Sequence, residues 1–268
     1  MISSRVMGVI NLTSHSFYQG TPAFSDALFK AEMMVKAGAA LIDVGAIATN
    51  PFINVNDIPS EQTELDLILP FVDALSKRVD TIISVDTSRA AVMTAAVNAG
   101  ANMINDQRAL TEENALKTAV KLSVPVCLMH HFNPTRTPGD CSPADLLSHI
   151  KNDLQKYSER CLSAGMSRNH IILDPGFGGG HFGKNAAENF YVLAHLKEIV
   201  TLGFPVLVGL SRKSLFADIQ ADVNNRLSAS IAAATIAAMN GAAIVRVHDV
   251  QETVDAMRVI ELTTSPTR

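Results

Sequence analysis

Eight short aliphatic runs, divided by stretches with helical periodicity, constrain this chain more than any other feature of it. The runs fall at 6–12, 40–46, 81–87, 102–107, 125–130, 170–176, 205–211 and 243–250. Each is rich in Val, Ile and Leu and lacks strict polar alternation, which is the pattern of a strand covered on both faces. The helical stretches are 24–37, 60–77, 89–99, 112–121, 144–163, 186–200, 226–239 and 251–261. Ser60, followed by Thr63 and Glu64, opens one helix, while Gly38, Gly100, Gly165 and Gly241 close four others. Eightfold alternation of this kind predicts an α/β fold, the (β/α)8 TIM barrel. An open doubly wound sheet is the runner-up, and it usually has fewer repeats. The length of 268 residues suits one barrel, whose usual size is about 250 residues. No linker rich in Pro, Gly or Ser divides the chain, so residues 1–268 read as a single domain.

Composition narrows the class. With 47% hydrophobic and 18% charged residues, the chain can bury a sizeable core, which excludes a disordered segment. A net charge of −4 offers no surface for nucleic acid or acidic membrane. No apolar run approaches the ~18 residues of a membrane span, and the N-terminal stretch lacks the cleavage site of a signal peptide. Cys127, Cys141 and Cys161 are irregularly spaced and form no CxxC. A cytoplasmic location is the expectation.

Polar residues end every run: Asn11, Asp43, Asp86, Asn105 with Asp106, His130, Asp174, Ser211 to Lys213, and Arg246 with His248. In a barrel these ends gather at one mouth, where such enzymes keep their chemistry. One polar residue at a strand end is usually a cap or turn former; a full set argues for a site.

Two motifs do not survive their context. Residues 178–183 read GGGHFG and nearly complete a phosphate-binding loop with Lys184, but Asn185 stands where Ser or Thr should be. The glycines also follow the sixth strand rather than the first, and a mouth loop is the better account. His130 and His131 lack the further ligands of a zinc site, since no HExxH occurs. Asp86 and Asp174 carry more weight. A carboxylate matches two adjacent N–H donors of an amino-pyrimidinone edge with parallel, charge-assisted hydrogen bonds. It could equally hold a cation or transfer protons. Asn105 adds an amide that both donates and accepts, Arg246 a planar cation suited to a ring or phosphate, and Lys213 a point charge.

The stretches MGVINLTSHSF, LIDVGAIATNP, ISVDTSRA, MINDQRAL, VPVCLMHH, IILDPGFG, PVLVGLSRKS and IVRVHDVQET occur in this order along nearly the whole chain. Together they resemble the dihydropteroate synthase family. The resemblance implies an enzyme of folate synthesis that joins 4-aminobenzoate to 6-hydroxymethyl-7,8-dihydropterin diphosphate and releases diphosphate, with magnesium as cofactor. It implies that Asp86, Asn105, Asp174 and Lys213 hold the pterin, with Arg246 stacked on its ring. By the same resemblance Asn11 faces magnesium and diphosphate, Arg246 and His248 bind diphosphate, and Phe17, Thr49, Pro51 and Ser214 shape the aminobenzoate site. Lys213, Arg246 and His248 would be the catalytic set, and a homodimer through the late helices is expected.

The first two loops depart from the family pattern. Asn11-Leu12-Thr13-Ser14-His15-Ser16-Phe17-Tyr18-Gln19-Gly20 lacks both usual loop acids, and Ala48-Thr49-Asn50-Pro51-Phe52 lacks the usual arginine. The loop after Asp174 looks a few residues longer. Similar changes occur in sulfonamide-insensitive members, so an active, insensitive synthase is expected. The alternative is a pterin-binding paralogue that has lost the second-substrate site.

Overall fold

The computed structural model describes residues 4–12, 22–45, 59–131, 136–179 and 182–265. Within them all eight expected strands form: β1 (Arg5–Asn11), β2 (Leu41–Gly45), β3 (Ile82–Asp86), β4 (Met103–Asp106), β5 (Val126–Met129), β6 (Ile171–Asp174), β7 (Leu207–Val208) and β8 (Ile244–Val247). They pair in parallel in the order β6-β5-β4-β3-β2-β1-β8-β7. A single bridge between Leu173 and Val206 joins the two ends of that order, so the sheet closes on itself. This is the expected (β/α)8 barrel.

The helices among the described residues are α1 (Pro22–Lys36), α2 (Glu61–Ser76), α3 (Ala90–Asn98), α4 (Ala115–Leu122), α5 (Pro143–Ser163), α6 (Ala186–Ala194), α7 (Leu196–Val200), α8 (Leu227–Met239) and α9 (Val250–Thr264). The boundary signals worked as read. Ser60 caps α2 by accepting from Thr63 N, and Gly38, Gly100, Gly165 and Gly241 all take the left-handed backbone that ends a helix. Three expectations shift. The helix expected over 186–200 breaks at His195, whose ring takes the Tyr191 carbonyl at 2.9 Å and stacks on the Tyr191 ring. The helix expected from 112 begins at Ala115, because Asn114 sits at φ 59. The strand expected over 205–211 narrows to Leu207–Val208, preceded by Val206 in a single bridge to Leu173. No helix among the described residues is long and apolar enough to cross a membrane.

Inside the barrel, Met7, Leu41, Met103, Cys127, Ile172, Leu207 and Ile244 pack as one buried cluster. Alternate residues of a strand share a face, so two positions further along, Asp43, Asn105, Asp174 and Arg246 also point inward. The wall thus changes from an apolar plug to a polar rim within a single step of two residues. The opposite faces, with Val6, Ile10, Ile42, Val85, Ile104 and Leu173, meet the helices.

Candidate active site

Arg246 organises the rim. Its Nε donates to Asp43 Oδ2 at 2.6 Å and its Nη2 to Asp86 Oδ2 at 3.2 Å. Asn105 Nδ2 donates to the same Asp43 oxygen at 3.1 Å. Gly209 faces the Arg246 stem: a Cβ there would lie 3.9 Å from Arg246 Cβ. β8 thereby brings a long cation up from below to bridge acids on β2 and β3.

Asp86 is paired in register with Gly45 on one side and Asn105 on the other. Gln107 Nε2 donates to its two oxygens at 3.0 and 2.7 Å. Burial, and next the negative charge of Asp43, push the Asp86 carboxyl up to about 7, against the pull of Arg246 and Gln107. Asp174, on β6, is likewise raised by burial, opposed by the Gly176 N–H that it accepts at 2.7 Å and by the charge of Lys213. Lys213 lies just beyond β7; its ammonium donates to the Phe177 carbonyl and stands 4.3 Å from the Phe182 ring centre. Burial lowers Lys213 to about 8, with the nearby Asp174 resisting the change. One rim therefore carries groups that exchange protons near neutrality and a cation that does not.

The loop after β6 is pinned in the same region. Lys184 is buried and donates from Nζ to Gly176 O at 2.6 Å and Phe182 O at 3.3 Å. Gly176 has φ +68, and a Cβ on it would come within 2.2 Å of His130 O, so only glycine allows this approach.

The structure brings Asp86, Asn105, Lys213 and Arg246 to the same rim as Asp174. His248 follows β8 at an exposed position; its Nδ1 lies 3.1 Å from Ser211 Oγ and its backbone N donates to the same oxygen at 3.2 Å. Surrounding protein, and then the charge of Arg246, favour its neutral form. Asn11 ends β1, exposed and level with Gly45. Ser214 is exposed on a short helical turn, with its Oγ beside Gly179. Phe17, Thr49 and Pro51 lie outside the described residues, as do Ser14, His15, Gln19 and Asn50.

Two strand-end residues do not reach the mouth. Asp106 accepts from Ser88 Oγ at 2.5 Å and from the N–H groups of Arg108 and Leu110, both at 2.8 Å. His130 is fully buried, with Nε2 3.5 Å from Asp153 on α5. Each is displaced by an odd number of residues from its inward-facing neighbour, which turns it to the outer face. No group of three or more His, Cys, Asp or Glu side chains that could hold a metal ion occurs among the described residues. Gln107 is the residue that sequence reasoning missed as a member of the site, while Asp43, expected at the mouth as a strand end, was given no role there although it holds Arg246 and Asn105. The signal for Asp43 was available, since it stands two positions after Leu41.

Comparison with known proteins agrees with this geometry. A family model described as pterin binding enzyme matches residues 7–248. The chain is 44% identical over 264 residues to a dihydropteroate synthase of Haemophilus influenzae, covering 97% of this chain and 94% of the relative. A solved dihydropteroate synthase of Coxiella burnetii, in complex with pteroic acid, superposes with a TM-score of 0.91 at 48% identity, covering 99% of this chain and 94% of the other. Another, from Xanthomonas albilineans with 4-aminobenzoic acid, gives 0.88 at 36% identity, covering 98% and 94%.

Proposed function

The chain belongs to the pterin-binding enzyme family and its activity is that of a dihydropteroate synthase, a transferase of folate biosynthesis; we propose that the rim built around Arg246 is where it holds the pterin. The observation that supports this most is the set of buried polar side chains on separate strands: Asp86 and Asn105, linked through Arg246 and Asp43, with Asp174 close enough for its charge to act on the same arginine.

The proposed binding mode follows from donor counting. The flat ring presents N–H donors that an ionised Asp174 and Asp86 accept, while Asn105 meets a position that needs both donor and acceptor. Lys213 points its charge at the ring carbonyl. Two edge contacts to carboxylates fix the guanidinium plane of Arg246, which leaves its face for stacking. The reaction breaks the bond from the methylene carbon to the diphosphate oxygen and forms one from that carbon to the arylamine nitrogen, whose proton goes to solvent. Arg246 and His248 stabilise charge on the departing oxygen. The electron-rich ring spreads the positive charge on carbon, so no protein nucleophile is required.

Magnesium belongs to the same proposal. The ion prefers hard oxygen donors and keeps several waters, taking one or two protein ligands and phosphate oxygens. The exposed Asn11 amide oxygen at the mouth fits that role alongside a diphosphate. When bound, magnesium would neutralise charge on the leaving group. Phe17, Thr49, Pro51 and Ser214 are proposed to shape the aminobenzoate site. The altered first and second loops support insensitivity to sulfonamides, and equal inhibition of this protein and an ordinary synthase would refute it. A homodimer is supported by apolar side chains open on α8 (Ile236 and Met239) and α9 (Val259 and Leu262).

The deciding experiment is turnover with both substrates, following diphosphate release. Pterin binding without release would favour the paralogue that has lost its second substrate.

A further inference from the structure

Gln107 stands two residues beyond Asn105 and is half-buried at the rim. Its Nε2 lies 3.0 Å from Asp86 Oδ1 and 2.7 Å from Oδ2. A donor that close to both oxygens sits on the open edge of the carboxylate, facing away from its carbon. Two parallel N–H groups of a pterin would need that same edge. The neighbouring donors are committed elsewhere: Arg246 divides its contacts between Asp43 and one oxygen of Asp86, and Asn105 gives its amide to Asp43. The backbone beneath Gln107 is held firmly. Asp106 accepts from two N–H groups of the turn, and Ala109 and Leu110 follow in the left-handed region at φ 50 and 58. The side chain, by contrast, can swing on three rotatable bonds.

We infer that Gln107 is a placeholder donor: its amide keeps the binding edge of Asp86 aimed and ionised, and the two N–H groups of the ring displace it. This rests on Asp86 being a pterin-holding acid, as proposed above. The charged and titratable groups that act on Asp86 are Asp43 on β2, Cys127 on β5, Lys213 beyond β7 and Arg246 on β8 from inside the barrel, and Asp106 from the outer face of β4. The Gln107 hydrogen bond works with Arg246 against burial and the two acids. Because the ring takes over its role, the contact exists only in the free enzyme. Its removal therefore has two opposed effects: Asp86 ionises less readily, and the ring no longer has to displace a donor.

Gln107→Met and Gln107→Leu test this by calorimetric titration with the pterin diphosphate from pH 5.5 to 9, with Asp86→Asn as the control. The acid limb of binding should move upward by about one pH unit, the scale of one lost hydrogen bond. On the alkaline plateau, binding should become roughly three- to tenfold tighter. Plateau binding equal to or weaker than wild type in both variants, or an unmoved acid limb, overturns the placeholder role. Wild-type binding by Asp86→Asn would instead overturn the assignment of Asp86, so the two failures are distinguishable.

Discussion

Arg246 and Asp43 are separated by 203 positions in the chain, yet Arg246 Nε donates to Asp43 Oδ2 at 2.6 Å on the barrel floor. The contact exists because β8 and β2 flank β1 in the closed sheet. The same guanidinium also holds Asp86.

Replacing Arg246 with Met leaves Asp43 and Asp86 facing each other without a cation. Removing one partner of a buried ion pair costs about 3–5 kcal/mol. Urea unfolding should show a loss of that order, and Asp43→Asn added to Arg246→Met should recover part of it. A loss below ~1 kcal/mol would mean that the network contributes little to the fold.

Asp174→Asn should leave the turn in place, because an amide oxygen can still accept from Gly176 N as the carboxylate does. In the proposed binding mode the second atom becomes an N–H donor facing the donors of the ring. Losing a charged hydrogen bond and gaining a donor clash should weaken pterin binding by roughly 100-fold or more. Unchanged affinity in calorimetry would remove Asp174 from the pterin site.

Asp86 yields a prediction about pH. Its carboxyl is raised in the folded protein to about 7 from 3.8. Such a group favours the fold below its unfolded value, and that contribution is lost as pH rises through the folded one. Asp86→Asn should therefore raise the melting temperature more at pH 8 than at pH 5, by about 2–4 °C for each kcal/mol relieved. Pterin binding should fall in the same variant, and a larger stability gain at pH 5 would contradict the sign.

Gly176→Ala would place a methyl group 2.2 Å from His130 O on a residue with φ +68. Backbone on both sides cannot yield, so a loss of roughly 2–4 kcal/mol is expected, read by thermal or urea unfolding. A melting curve like wild type would show that the β5 and β6 loops slide apart freely.

Magnesium removal is the remaining test. If the ion meets the diphosphate as proposed, chelation should lower the rate of diphosphate release strongly, while affinity for a pterin that carries no diphosphate stays the same. A rate that survives exhaustive chelation would exclude magnesium from the step.

Much of this was legible before any coordinates. Aliphatic runs and helix stops placed all eight strands, because covered strands and glycine caps leave local marks. Inward-facing residues could also be counted in steps of two from the apolar plug, which predicts Asp43 and excludes Asp106 and His130. What the sequence could not show was pairing. Whether Asn105 gives its amide to Asp43 or to a ligand depends on the stagger between strands around the barrel. Nor could it show that Gln107 turns back on Asp86, since that follows from a turn whose left-handed residues, Ala109 and Leu110, are not glycine.

The Leu173–Val206 bridge has a mechanical consequence. Seven sides of the cylinder are laced by backbone ladders, and the eighth, between β6 and β7, is closed at one point. Asp174 and Lys213 stand on opposite banks of that gap. A molecule gripped by both would supply, through its own body, the tie that the main chain omits there, and the cylinder would be stiffest when loaded.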